Sequence, residues 1–180
     1  MAFPMALSLS LFLNSVCAQE NSTESQKMNP SETIVVNTAN SVNHTTLLAA
    51  IEGAELEEVL DMNGPFTVFA PSDVAFRKLA HSRIDELLLP KNKKNLHSLV
   101  TYHMVAGNLS ASTILKAMCR GNGIASFTTV QGEELKATMD GIDIVLTDNS
   151  GNTAKITIAD SEQSNGVIHE IDSVFLPKKL

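Results

Sequence analysis

Residues 64–79 change hydrophobic period within a short span, and that change limits what the rest of the chain can do. Phe66, Thr67, Val68, Phe69 and Ala70 form a run biased to aromatic and β-branched side chains, bounded by Gly64-Pro65 and Pro71, the pattern of a buried strand. After Pro71 the apolar residues fall at Val74, Ala75, Phe76 and Leu79, closer to helical than to strand spacing. The Ser72 hydroxyl suits an N-cap, accepting from a free amide of the first turn, and Asp73 suits the positive end of the helix dipole. A strand therefore runs straight into a helix through the Pro71-Ser72 joint, and the plain reading of such a joint is a folding device.

The chain has 180 residues, enough for one ordinary domain with a real core and too few for two comfortable ones. Hydrophobic residues make up 43% and charged residues 18%, which excludes wholesale disorder. The net charge of −7 carries no acidic block and argues against nucleic acid, whose phosphates it would repel. The basic cluster Lys91-Asn92-Lys93-Lys94 follows Pro90 and reads as a solvated loop. The absence of Trp and the single tyrosine, Tyr102, argue against an aromatic base-stacking platform as well.

Residues 1–18 read as a secretory signal peptide. The stretch 1–13 is apolar with small polar interruptions, and Val16-Cys17-Ala18 places suitable residues before a cut at Gln19. The apolar stretch is too short to span a membrane, and no Lys or Arg precedes it. The expected location is secreted and extracellular. The alternative is a periplasmic or outer-surface lipoprotein with a lipid anchor at Cys17, which Val16 disfavours because it is larger than the residue such processing selects. No other segment has the length and apolarity of an integral membrane helix. Cleavage leaves Cys119 as a lone thiol that closes no intramolecular disulfide. Thiolate metal ligands are then lacking, and the histidines show no zinc-like spacing with carboxylates.

Residues 19–30 are rich in Ser, Glu and Asn and read as a flexible polar lead-in to a single domain at 31–177. For 33–39 a first strand and a short helix are both open. A helix starts at Thr45 or Thr46 and buries Leu47, Leu48, Ala50 and Ile51; Gly53 ends or bends it, and Leu56, Val59 and Leu60 continue in a second piece. Helical stripes follow at 84–89 and at Leu96, Leu99 and Val100, leading into a strand-like 101–105; Ser110 caps a helix with Ile114, Leu115 and Met118. The remainder offers strand candidates at 126–131, 134–139, 142–147, 153–159 and 167–176, separated by turns such as Asp140-Gly141 and Asn165-Gly166. Helices early and antiparallel strands late argue for an α+β fold with a sandwich-like sheet core.

No constellation for catalysis, cofactor binding or metal binding assembles. Ser72 sits at a strand-to-helix joint, as nucleophile-elbow serines do, but the flanking glycines are missing and capping accounts for it. His103 and His169 lie in apolar strands, where a lone histidine is usually a core residue with satisfied ring nitrogens. No glycine-rich phosphate loop is present. Sequons stand at Asn21, Asn43 and Asn108.

Taken together, three stretches resemble the fasciclin, or FAS1, domain family. Residues 64–79 are similar to its first conserved block, with Phe66, Thr67, Phe69, Ala70, Pro71, Ser72, Asp73 and Phe76 in place. Residues 99–107 are similar to its tyrosine–histidine region through Tyr102 and His103. Residues 165–177 are similar to its second conserved block, including Asn165, Gly166, His169 and Ile171. The short, single-domain, exported form is more similar to bacterial members than to multi-domain animal ones. The resemblance implies a wedge of two mostly antiparallel β-sheets with helices packed around it. It also implies a non-catalytic, exported cell-adhesion or extracellular interaction module, without a cofactor, whose partners are cell-surface or extracellular-matrix proteins or glycans.

In some members the tyrosine–histidine region and an acidic motif before the second block take part in binding. That makes Tyr102, His103 and Asp160 the binding candidates here, although the acidic motif's flanking Pro and Ile are absent around Asp160. Two other functional classes stay open. A lipid or small-molecule carrier would show a sizeable apolar pocket between sheet and helices. An exported hydrolase would show Ser72 or another hydroxyl beside a histidine.

Overall fold

The structure, a computed structural model, describes residues 27–79 and 81–177; the signal-peptide reading, Cys17 and Asn21 lie outside these. Helices α1 (Ile34–Asn40), α2 (Thr45–Gly53) and α3 (Glu57–Met62) come first, followed by strand β1 (Phe66–Pro71) and the short α4 (Asp73–Arg77). Next come α5 (His81–Leu87), a 3₁₀ turn at Pro90–Asn92, α6 (Lys93–Tyr102), β2 (Met104–Ala106) and α7 (Ala111–Arg120). The chain ends in β3 (Ala125–Thr128), β4 (Glu134–Asp140), β5 (Asp143–Asp148), β6 (Thr153–Gln163) and β7 (Gly166–Ile171).

The strands form one seven-stranded sheet in the order β2-β1-β7-β6-β5-β4-β3. Strand β6 divides it into two arms. Thr153–Lys155 pair with β5, whereas Ile156 to Gln163 pair with β7 through two register shifts. The expected pair of sheets is thus the two arms of one sheet, bent where β6 changes partner. Beyond β3, Thr129 bridges Val105 of β2 and Val130 N–H donates to the Met104 carbonyl at 2.7 Å, so the outer edges nearly close. Near-closure leaves little unpaired edge. All pairings are antiparallel except β1 with β7, which lie parallel from Phe66↔Gly166 to Pro71↔Ile171.

Strand β1 is buried along nearly its whole length because both its faces are covered, which accounts for its continuous apolar run. Val68 and Ala70 join Leu47, Ile51, Leu60 and Leu96 in a core beneath the helices. Phe69 points the other way, into a core inside the curved sheet with Leu135, Leu146, Ile171 and Phe175. At the joint the Ser72 hydroxyl accepts from Ala75 N–H at 3.3 Å, as an N-cap does. Asp73 reaches farther. Its carboxylate accepts from Thr45 N–H (3.2 Å), Thr46 N–H (2.8 Å) and the Thr45 hydroxyl (2.7 Å), capping α2, whose own N-cap His44 makes no capping bond. These bonds outweigh the effect of burial and hold the Asp73 carboxyl below the usual carboxylate range.

Three local readings resolve. Residues 33–39, open between strand and helix, form α1, because Thr33 caps it and the Asn165 side chain accepts from Ile34 N–H at 2.9 Å. Tyr102 and His103, read within a strand, instead end α6, with His103 as its C-cap. Strand β7 stops at Ile171; the chain bends at Asp172 and Ser173, and the stretch to Leu176 continues without strand structure.

Candidate functional site

Tyr102 and His103 are buried. His103 is 1% exposed; its Nδ1–H donates to the Leu99 carbonyl at 2.8 Å and its Nε2 accepts from Phe175 N–H at 3.1 Å. Its ring lies 5.7 Å from that of Phe175, and the Tyr102 ring meets both edge-on. Burial lowers the His103 pKa to about 4, so the imidazole is neutral at physiological pH. Burial, with Asp148 and Glu133 nearby, pushes the Tyr102 phenol up to about 12. His169 is likewise enclosed and stacks on Phe69; its Nε2–H donates to the Leu109 carbonyl at 2.7 Å, and its Nδ1 accepts from Asp160 N–H at 3.1 Å. Ser72 is buried, with its hydroxyl in the cap bond.

Thr67 holds the loop after β2: its hydroxyl donates to the Gly107 carbonyl at 2.7 Å and accepts from Leu109 N–H at 2.8 Å. Asn165 ties α1 and α3 to the start of β7, its amide donating to the Leu60 carbonyl at 2.7 Å. The motif residues Phe66, Ala70, Pro71, Phe76, Gly166 and Ile171 belong to the strand pairing and the cores.

Asp160 differs in being exposed. It stands in the irregular part of β6 at φ 58°, and its Oδ1 accepts from Ala111 N–H at 2.7 Å, at the start of α7. It also lines a cleft of about 590 Å³. One wall is Ile158 to Glu162 of β6; the floor is Ile168 and Glu170 of β7. Met28, Pro30 and the turn from Ser41 to His44 face them. Asn29, in the stretch read as lead-in, holds that side in place: its N–H donates to the Asn37 side chain at 2.7 Å. The register shifts in β6 give the cleft its shape, displacing Thr157, Ala159 and Asp160 from ladder positions opposite β7.

Two residues of the cleft were not singled out from the sequence. His44 is 3% exposed, and its Nδ1 is 2.8 Å from the Ser41 hydroxyl. Its Nε2 is buried without a hydrogen-bond partner, 3.6 Å from Oε2 of Glu170. Burial lowers the His44 pKa against the opposing pull of Glu170 and Asp73. The other Glu170 oxygen accepts from the Thr157 hydroxyl at 2.9 Å. In the sequence His44 was visible only as the middle residue of a sequon, and nothing linked it to Glu170. Above this pair Val42 is 65% and Ile158 44% exposed, so the cleft combines apolar walls with carboxylates. Among the described residues, no group of three His, Cys, Asp or Glu side chains is placed to hold a metal ion, and no helix is long and apolar enough to cross a membrane.

The sequence profile described as Fasciclin domain matches residues 42–177. This chain belongs to the fasciclin domain family. It is 39% identical over 145 residues to Protein sll1483 of Synechocystis, covering 81% of this chain and 73% of that protein. It is 34% identical over 149 residues to the immunogenic protein MPB70 of Mycobacterium bovis, covering 80% and 68%. Among solved structures, the FAS1 domain pair of the insect cell adhesion molecule fasciclin I superposes with a TM-score of 0.73 at 18% identity. The match takes in 83% of this chain and 52% of that one, a likeness of fold.

Proposed function

We propose that this chain is an exported, non-catalytic interaction module that holds a cell-surface or matrix component through the cleft between the 41–44 turn and β6–β7. The observation that carries the reading is the cleft itself, where exposed Val42 and Ile158 stand over buried His44, whose Nε2 has no hydrogen-bond partner, and beside Asp160 and Glu170. Apolar surface next to fixed polar groups is how a recognition site combines affinity with orientation. Family membership supports the class of behaviour, and the solved fold relative is part of a cell adhesion molecule. Export rests on the signal pattern at 1–18.

One small domain offers limited contact area, so a single copy binds modestly and adhesion comes from many copies on one surface. Immobilised full-length protein is expected to retain cells or matrix polymers that dilute monomer barely binds. Equal binding in both formats overturns the multivalent part of this account.

A hydrolase is the rival favoured by a specific observation, since Ser41, His44 and Glu170 line up as hydroxyl, imidazole and carboxylate. The Ser41 hydroxyl also accepts from Asn43 N–H at 3.3 Å, the geometry of a turn. Ester turnover lost in Ser41→Ala, with folding intact, would establish the rival; no turnover is expected.

A further inference from the structure

We infer that the cleft takes an apolar molecule carrying a protonated amine, with the ammonium group held between Glu170 and His44. The inference rests on the reading of the cleft as a recognition site, but not on export or adhesion. Three independent features point to this ligand chemistry.

The first is the unpaired nitrogen. His44 Nε2 is buried with no hydrogen-bond partner, a costly state that natural structures rarely leave without a use. Because the Ser41 hydroxyl can donate to Nδ1 or accept from it, the ring can present at Nε2 either a hydrogen or a lone pair. An ammonium group selects the lone pair. It has three hydrogens to give, and Oε2 of Glu170 lies 3.6 Å from that nitrogen; since Nε2 is closed to solvent, an ammonium group entering from the cleft must part this contact to bridge both acceptors.

The second is charge. Glu170, Asp160 and Glu162 line the cleft against Lys27, and burial lowers the His44 pKa against the pull of Glu170 and Asp73. The resulting field attracts a cation and repels a carboxylate or phosphate. The third is the remaining surface. Met28, Val42, Ile158 and Ile168 form an apolar path beside the pair, and about 590 Å³ lies within the range of sites that enclose small organic molecules.

The test compares three probes with the same tail, namely octylamine, octanol and octanoate, each titrated calorimetrically into the full chain at neutral pH below its aggregation concentration. Octylamine is expected to bind at a single site about tenfold or more tighter than octanol, with octanoate weakest. Glu170→Gln should bring octylamine to the level of octanol, with circular dichroism and an unchanged melting temperature showing that the variant is folded. Ile158→Ser, at an exposed position, should weaken both. The inference is overturned if octanol equals octylamine in the native chain, if octanoate binds tightest, if no probe binds, or if Glu170→Gln leaves the amine preference intact. No amine preference in the native chain with adhesion retained would discard this ligand assignment alone, whereas an amine preference that Glu170→Gln abolishes without loss of adhesion supports the ligand assignment and separates it from adhesion. Adhesion lost in Glu170→Gln along with the amine preference supports both readings.

Discussion

His103 and Phe175 are joined by a hydrogen bond from the Phe175 amide to Nε2 at 3.1 Å, with their rings 5.7 Å apart, far from each other in sequence. The bond fastens the segment after β7 to the end of α6, and the other ring nitrogen fastens that end to Leu99.

His103→Ala removes both bonds, leaves the Phe175 amide buried without a partner and opens space beside Tyr102. The expected loss is about 3 kcal/mol, or roughly 6–12 °C in melting temperature for a domain of this size. Thermal unfolding followed by circular dichroism measures it. An unchanged melting temperature together with lost adhesion would mean that His103 acts as a contact residue.

The same burial makes stability depend on pH. His103 has a pKa of about 4 in the folded chain against 6.5 as an ordinary histidine, and those of His44 and His169 are lowered too. Between the two values the unfolded chain holds a proton that the folded chain does not, so stability rises with pH across that interval. The contribution is complete above about pH 6.5 and is lost as the pH falls toward 4, amounting to about 3 kcal/mol for His103 alone. Urea midpoints are expected to drop steadily from pH 7 to pH 5. A flat profile over that range would contradict the enclosed, neutral histidines.

Gly166 faces Phe66 across the parallel pairing of β7 and β1. A Cβ on Gly166 would lie 1.9 Å from the Phe66 carbonyl oxygen, and the backbone there has φ 156°. Gly166→Ala must push β1 and β7 apart and is expected to cost on the order of 4 kcal/mol or more. Gly141, in the β4–β5 turn at φ 61°, has open space around the same position, so Gly141→Ala should cost only about 1–2 kcal/mol of backbone strain. Equal melting temperatures for the two variants would refute the close approach.

The local chemistry of the joint was legible in the sequence: the apolar run from Phe66, the Ser72 cap and the helix that follows depend on near neighbours. The run of early helices and late antiparallel strands pointed to the α+β class, and the resemblance of the three blocks added the FAS1-like wedge. Residues whose state depends on distant partners were not legible. Residues 33–39 fit strand and helix alike on local pattern because Asn165, which helps satisfy α1, lies far along the chain. Tyr102 and His103 looked like strand residues because their β-compatible side chains sit at a helix end, where burial decides. Asp73 was readable as a helix-start residue, but its bonds to Thr45 and Thr46 of another helix were not. The cleft was the least accessible feature. It depends on the register shifts that displace Ala159 and Asp160, and on a turn that brings His44 to Glu170.

The proposed function requires adhesion through the cleft without turnover. Ile158→Asp and Val42→Asp alter exposed positions on its two sides and should leave the melting temperature within about 2 °C of the native value. The most direct measurement is retention of cells or matrix polymers on a surface densely coated with native protein, compared with surfaces coated with each variant. The account predicts that native protein retains them and that both variants lose most of that retention while staying folded. Undiminished retention by both variants would contradict it.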